Sequence, residues 1–133
     1  DGTGLPVCSS YLWATPRDWA ALGQFALQYG VWDGERLLPE EWMTTSATVV
    51  TPAESDADGY ALSWWANQRS DGSLRFPVLP SDAFWMSGHD GQRVYVVPSA
   101  DLVVVRMGFS PSVEAEDLRA NELVGEVVDI LAR

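Results

Sequence analysis

The chain has 133 residues, of which 47% are hydrophobic and 20% charged, the signature of a single globular domain that buries roughly two-thirds of its unfolded surface. Its net charge of −11 would repel nucleic acid phosphates and anionic lipid, and no apolar run approaches the ~20 residues of a bilayer-spanning helix. Nucleic-acid binding and a membrane span are therefore not expected, and the single cysteine, Cys8, excludes an intrachain disulfide or a thiolate metal cluster.

Residues 1–10 are rich in Gly, Ser and Pro and read as a loop leading inward. The start at Asp1 without methionine hints at a mature or cut product, and nothing there resembles a signal peptide. Thr15 is a good N-cap, Pro16 suits the first helical position, and the Asp18 carboxylate favours a helix N-terminus. A helix is expected over 16–29, ended by Gly30, with Trp19, Leu22, Phe25, Ala26 and Tyr29 forming its apolar face. Asp33-Gly34 lies between short apolar pairs and predicts a tight turn. Pro39 then opens a short helix with Glu40 and Glu41 in its first turn and Trp42 as its anchor. Residues 44–59, carrying Glu54, Asp56 and Asp58, read as a solvent-facing loop that lacks the Gly and the terminal Glu of an EF-hand.

Residues 60–66, YALSWWA, are aromatic and strand-like, and 67–82 form another long loop. The stretch AFWMSGHDGQRVYVVPSADLVVVRMG, from Ala83 to Gly108, holds two nearly continuous β-branched strands, 93–97 and 102–107, joined by a turn over 98–101. Such runs belong to strands covered on both faces, so a helix is expected on each side. One is expected from about Glu114 to Leu131, with Glu114, Glu116 and Asp117 in its first turn and an apolar stripe of Ala120, Val124, Val127, Val128 and Leu131.

A polar knot, Ser87-Gly88-His89-Asp90-Gly91-Gln92, stands between the first of these strands and the residues before it. One histidine is too few for a His-based zinc site. Ser87, His89 and Asp90 make a triad on paper, but triad members normally come from separate elements, and no G-x-S-x-G elbow is present. The local pattern favours an ordinary turn. Core packing is favoured for Trp19 and Trp42, while Trp64, Trp65 and Trp85 stand where they could wall a cleft.

The succession SSYLWATPRDWAALGQFALQYGVWDGERLLPEEW, then YALSWW, then FWMSGHDGQRVYVVPSADLVVVRMG resembles the C-terminal part of the serine β-lactamase-like hydrolases, among them class C-type esterases, D-aminopeptidases and nylon-oligomer hydrolases. The resemblance implies an α+β fold in which an antiparallel sheet is flanked by helices. It implies acyl-enzyme chemistry on an ester, an amide or a β-lactam, without a cofactor. In such enzymes a serine of an S-x-x-K motif is acylated while its lysine and the tyrosine of a Y-x-N motif move protons. This chain contains no lysine, so the expected partner is the N-terminal part of the same hydrolase, with a small-molecule acyl substrate, and the chain alone is expected to be inactive.

The resemblance places Met86-Ser87-Gly88 on the family's K-T-G strand, with Met86 in place of the lysine, and gives the next backbone N–H, that of His89, to the oxyanion hole. It thus assigns His89 and Gly88 to catalysis and Met86, Ser87, Asp90, Gly91, Gln92 and Trp85 to substrate contact. A shifted register puts His89-Asp90-Gly91 on the motif, and the His89 side chain then holds substrate or assists proton transfer. Two other readings share the same elements: a β-lactamase-like scaffold that has lost catalysis and serves binding or regulation, and a small self-standing α+β domain.

Overall fold

A computed structural model describes residues 12–49, 59–110 and 119–133. Helix α1 spans Pro16–Leu27 and starts with a reciprocal capping box. The Thr15 hydroxyl accepts from the Asp18 N–H at 3.3 Å and the Asp18 carboxylate accepts from the Thr15 N–H at 2.9 Å, two donors that the first turn would otherwise leave orphaned. The Thr15 hydroxyl, which donates to the same carboxylate at 2.7 Å, and the Thr15 N–H hold the Asp18 carboxyl below its ordinary value. The helix ends two residues before the expected Tyr29, because Tyr29 (φ 52°) and Gly30 (φ 81°) both turn left-handed.

Its buried face also differs from the expected stripe. Leu22 and Tyr29 are exposed, and Gly23, Ala26 and Leu27 face inward. Small residues win here because the helix lies close on the sheet: a Cβ at Gly23 would stand 2.6 Å from a methyl of Val103.

The Asp33-Gly34 turn joins β1 (Val31–Trp32) to β2 (Glu35–Arg36), with φ positive at both turn residues as a two-residue hairpin requires. Helix α2 runs Glu40–Ser46, preceded by Pro39. Trp42 is not its anchor: it is 52% exposed, and the helical phase turns Met43 and Ser46 inward instead. Thr44, Thr45 and Ser46, expected in a loop, complete this helix; Glu54, Asp56 and Asp58 lie outside the described residues.

The main sheet has the order β3-β4-β5-β6, formed by Trp65–Ala66, Phe84–Ser87, Arg93–Val97 and Leu102–Arg106, with every pairing antiparallel. Only the end of the aromatic stretch 60–66 is strand. Ser63 is left-handed (φ 70°) and the Ala61 N–H donates to the Trp64 carbonyl at 2.7 Å, so the chain bends before β3. Side chains alternate between two cores. On one face Trp85, Tyr95 and Val97 pack with Leu79 and with Ala120 and Val124 of helix α3 (Ala120–Leu131). On the other, Phe84 and Val96 pack with Ala26 and Leu27 of α1 and with Met43. Every residue of β5 is buried, so the expectation of a strand covered on both faces holds there; β6 ends at Arg106 and is half-buried along its length, so for it the expectation holds only in part. Leu131 departs from the expected stripe and is exposed, and Glu114, Glu116 and Asp117 lie outside the described residues.

Helix α3 approaches the loop before β4 as closely as α1 approaches the sheet, and here the obstacle is backbone. A Cβ at Gly125 would lie 2.5 Å from the Val78 carbonyl oxygen. Gly125→Ala is therefore expected to destabilise the chain by about 1–3 kcal/mol, despite the better helix propensity of alanine, because a carbonyl cannot swing aside as a side chain can. Urea denaturation checks it; an unchanged or raised midpoint would show that the helix relaxes away freely.

Candidate functional site

Strand β4 is the wall on which the polar knot is built. Its partner β3 pairs only with Phe84 and Trp85, so the outer edge of β4 is uncovered from Met86 onward among the described residues. In an antiparallel ladder, alternate residues bond to opposite neighbours. The Gly88 N–H bonds to the Gln92 carbonyl on the β5 side at 2.9 Å, whereas the Ala83 carbonyl accepts from the Asn67 N–H on the β3 side. Ser87 therefore turns its backbone groups to the open edge, and the extended Gly88 (φ −106°, ψ 170°) carries the same alternation to the His89 N–H. That N–H has no hydrogen-bond partner among the described residues.

The knot itself is a tight turn. His89–Gly91 forms one 3₁₀ turn, with Asp90 (φ 55°) and Gly91 (φ 83°) both left-handed, a conformation that Asp and Gly tolerate best. The His89 side chain is 88% exposed, and its Nε2 lies 3.5 Å from Asp90 Oδ1. Among the described residues no hydrogen bond joins Ser87 to His89, so the triad conceivable on paper is not assembled.

Gln92 does not face the open edge: its Oε1 accepts the Gly108 N–H at 2.9 Å and its Nε2 donates to the Gly108 carbonyl. Trp85 is 4% exposed and packs between Phe76 and Tyr95. It is core, apart from the part that lines a cavity of about 70 Å³ together with Trp65, Arg75, Ser87, Arg93 and Asn121. Ser87 and Gly88 are exposed and Met86 half-buried.

Sequence reasoning missed the arginines behind the turn. Arg93 and Arg106 stand directly opposite each other on β5 and β6, a like-charge pair that a sheet normally avoids. Both are occupied by carbonyls. Arg93 Nη1 donates to the Gln92 carbonyl at 2.8 Å and to that of Gly88 at 3.3 Å, and Arg106 Nη1 donates to the Gly91 carbonyl at 2.8 Å. Two of the eight basic residues of a −11 chain thus support one turn and place positive charge behind it. Beside them burial pushes the Tyr95 hydroxyl above its ordinary value, offset in part by the positive charge of Arg93, and the hydroxyl is hydrogen-bonded to Asn121 Oδ1 at 2.9 Å. Tyr95 is thereby a structural phenol.

A larger cavity, about 520 Å³, lies at the other end of β4 between α1, α2 and the loop 67–82. It is remote from the knot. Asp82, on its wall, is engaged by the Ser99 N–H and hydroxyl at 2.6 and 2.9 Å, which leaves the open β4 edge as the better chemical site.

No protein-family model matches the sequence, and no curated protein does. Among solved structures, one named "Putative 6-aminohexanoate-dimer hydrolase from Bacillus anthracis" matches with a TM-score of 0.60 and 26% identity, over 89% of this chain. The fold is β-lactamase-like. The chain spans 28% of that solved chain, a little over a quarter of its length. That neighbour is named a hydrolase, which agrees at this coarse level with the family resemblance of the sequence. Among the described residues no helix is long and apolar enough to cross a membrane.

Proposed function

We propose that this chain is the strand and oxyanion wall of a β-lactamase-like serine hydrolase that forms an acyl-enzyme from an ester, an amide or a β-lactam. The nucleophilic serine, its lysine and the proton-relaying tyrosine belong to the N-terminal part of the same hydrolase, outside these 133 residues. The observation that carries this reading is the open outer edge of β4, where the alternation of the ladder aims the His89 N–H away from β5 with no partner among the described residues. A donor held on a rigid strand end is what a tetrahedral intermediate needs, and one such donor supplies roughly 3–4 kcal/mol of barrier lowering.

The register with Met86-Ser87-Gly88 on the K-T-G position agrees with this geometry. In the shifted register the corresponding N–H is that of Gln92, which faces the His89 carbonyl at 3.4 Å. Without a lysine at Met86, the edge contacts an acyl substrate through backbone groups and the Ser87 hydroxyl, as strands recognise extended peptides. The His89 side chain, exposed and beside Asp90, sits at the rim.

The test is reconstitution. The 133 residues alone should show no ester or amide turnover above buffer, and mixing them with the part that carries S-x-x-K and Y-x-N should restore it. Robust hydrolysis by the isolated chain would overturn the assignment of the nucleophile.

A further inference from the structure

Four hydrogen bonds run between the knot and residues 106–110, a fifth from Arg106 to Ser110 braces that segment, and none of them involves the open edge. The Gln92 side chain grips both backbone groups of Gly108, like one more rung of the β5–β6 ladder beyond its last pair, Arg93 and Arg106. Arg106 Nη1 holds the Gly91 carbonyl at 2.8 Å while its Nη2 holds the Ser110 hydroxyl. The Ser110 N–H donates to the Asp90 carbonyl at 3.0 Å.

Gly91, buried and left-handed, is thus fixed through its carbonyl, and Asp90, which carries the least favourable backbone angle of the turn, is fixed through its own. A left-handed aspartate followed by a left-handed glycine is a conformation that local sequence tolerates rather than imposes. Something outside the turn has to select it, and residues 106–110 supply the contacts: Arg106 to the Gly91 carbonyl and the Ser110 N–H to that of Asp90.

We propose that Gln92 and Arg106 are positioning residues, which lock the His89–Gly91 turn onto residues 107–110 and thereby fix the direction of the His89 N–H. Gln92 then acts through the turn and not by touching substrate: its amide oxygen and nitrogen are both occupied by Gly108. The catalytic part of this inference rests on the oxyanion-wall reading above; the locking of the turn does not.

The experiment compares Gln92→Met, close in size but without the amide, with the parent chain. Amide hydrogen exchange is followed at residues 89–92 and, as an internal control of folding, at Val94 to Val97 in the buried strand. Exchange over 89–92 should rise at least about tenfold while the strand control stays put. In the reconstituted hydrolase kcat should fall about 10- to 100-fold with KM within about twofold, the pattern of a donor displaced by a fraction of an ångström to 1 Å.

Unchanged exchange over 89–92 would overturn the lock whatever the activity does. Raised exchange with unchanged kcat would overturn the positioning role. If the reconstituted parent enzyme is itself inactive, the oxyanion-wall reading fails, and the exchange arm alone still decides the lock. Should Gln92→Met lose the strand control as well, Arg106→Gln removes the other tie and is held to the same outcomes.

Discussion

Replacing His89 by proline is expected to lower kcat of the reconstituted hydrolase by about 10²–10³, because it deletes one backbone donor from the oxyanion site. The substitution is a clean one. Gly88 is extended (φ −106°, ψ 170°), as the residue before a proline must be, and His89 is the first residue of its 3₁₀ turn, where a proline's missing N–H breaks no bond among the described residues. His89→Ala keeps the N–H and removes a side chain that is 88% exposed, so it should retain most of the activity. The contrast between the two variants separates a backbone role from a side-chain role. A loss of 100-fold or more in His89→Ala would transfer the function to the imidazole, since that is the size of a general acid–base contribution.

Asn67→Ala is expected to be the most damaging substitution for stability, at about 3–5 kcal/mol. Asn67 is fully buried and organises the loop 67–82 from its start. Its Nδ2 donates to the carbonyls of Phe76, Leu79 and Pro80 at 3.1, 3.0 and 2.9 Å, and its Oδ1 accepts the Phe76 N–H at 2.8 Å. Truncation would leave several backbone groups without partners in a buried site, each costing about 1–3 kcal/mol, tempered by relaxation and by water entering the space. The same loop carries Leu79 into the core beside Trp85 and Val124, so its loosening reaches the sheet that supports the knot. A urea midpoint that moves by less than the equivalent of 1 kcal/mol would show that the loop is held by its apolar contacts instead.

The parts of this fold that were legible beforehand are those in which a residue's own chemistry decides its conformation. Thr15, Pro16 and Asp18 specify a helix start through local hydrogen bonds and a fixed φ, and Asp33-Gly34 specifies a turn because both residues accept positive φ. The β-branched runs of β5 and β6 specify strands in the same way, although only β5 is buried throughout and β6 is half-buried. What could not be read locally depends on the partner that an element meets. Gly23 faces the sheet because Val103 and Val94 leave no room for a larger residue. Trp42 is exposed because α2 presents Met43 and Ser46 to the core, and nothing in seven residues announces which side that is.

The site shows the same division. The outline of the knot, two glycines around His89 and Asp90, stands out in the chain, and the family resemblance supplies a role for it. The supports do not stand out: Gln92 meets Gly108 sixteen residues on, and Arg106 reaches back to Gly91 across fifteen, contacts created by the β5–β6 register. The signal that could have found them is the facing pair Arg93 and Arg106, since two like charges in one cross-strand pair call for acceptors nearby.

The most direct measurement is a crystal structure of the reconstituted hydrolase with a phosphonate or boronate bound to its nucleophilic serine, which mimics the tetrahedral intermediate. The oxyanion-wall account predicts that the inhibitor's oxyanion oxygen lies 2.7–3.1 Å from the His89 backbone nitrogen, the distance of a working oxyanion donor. An oxygen held instead by the Gln92 N–H, or lying beyond hydrogen-bond reach of the β4 edge altogether, would contradict it.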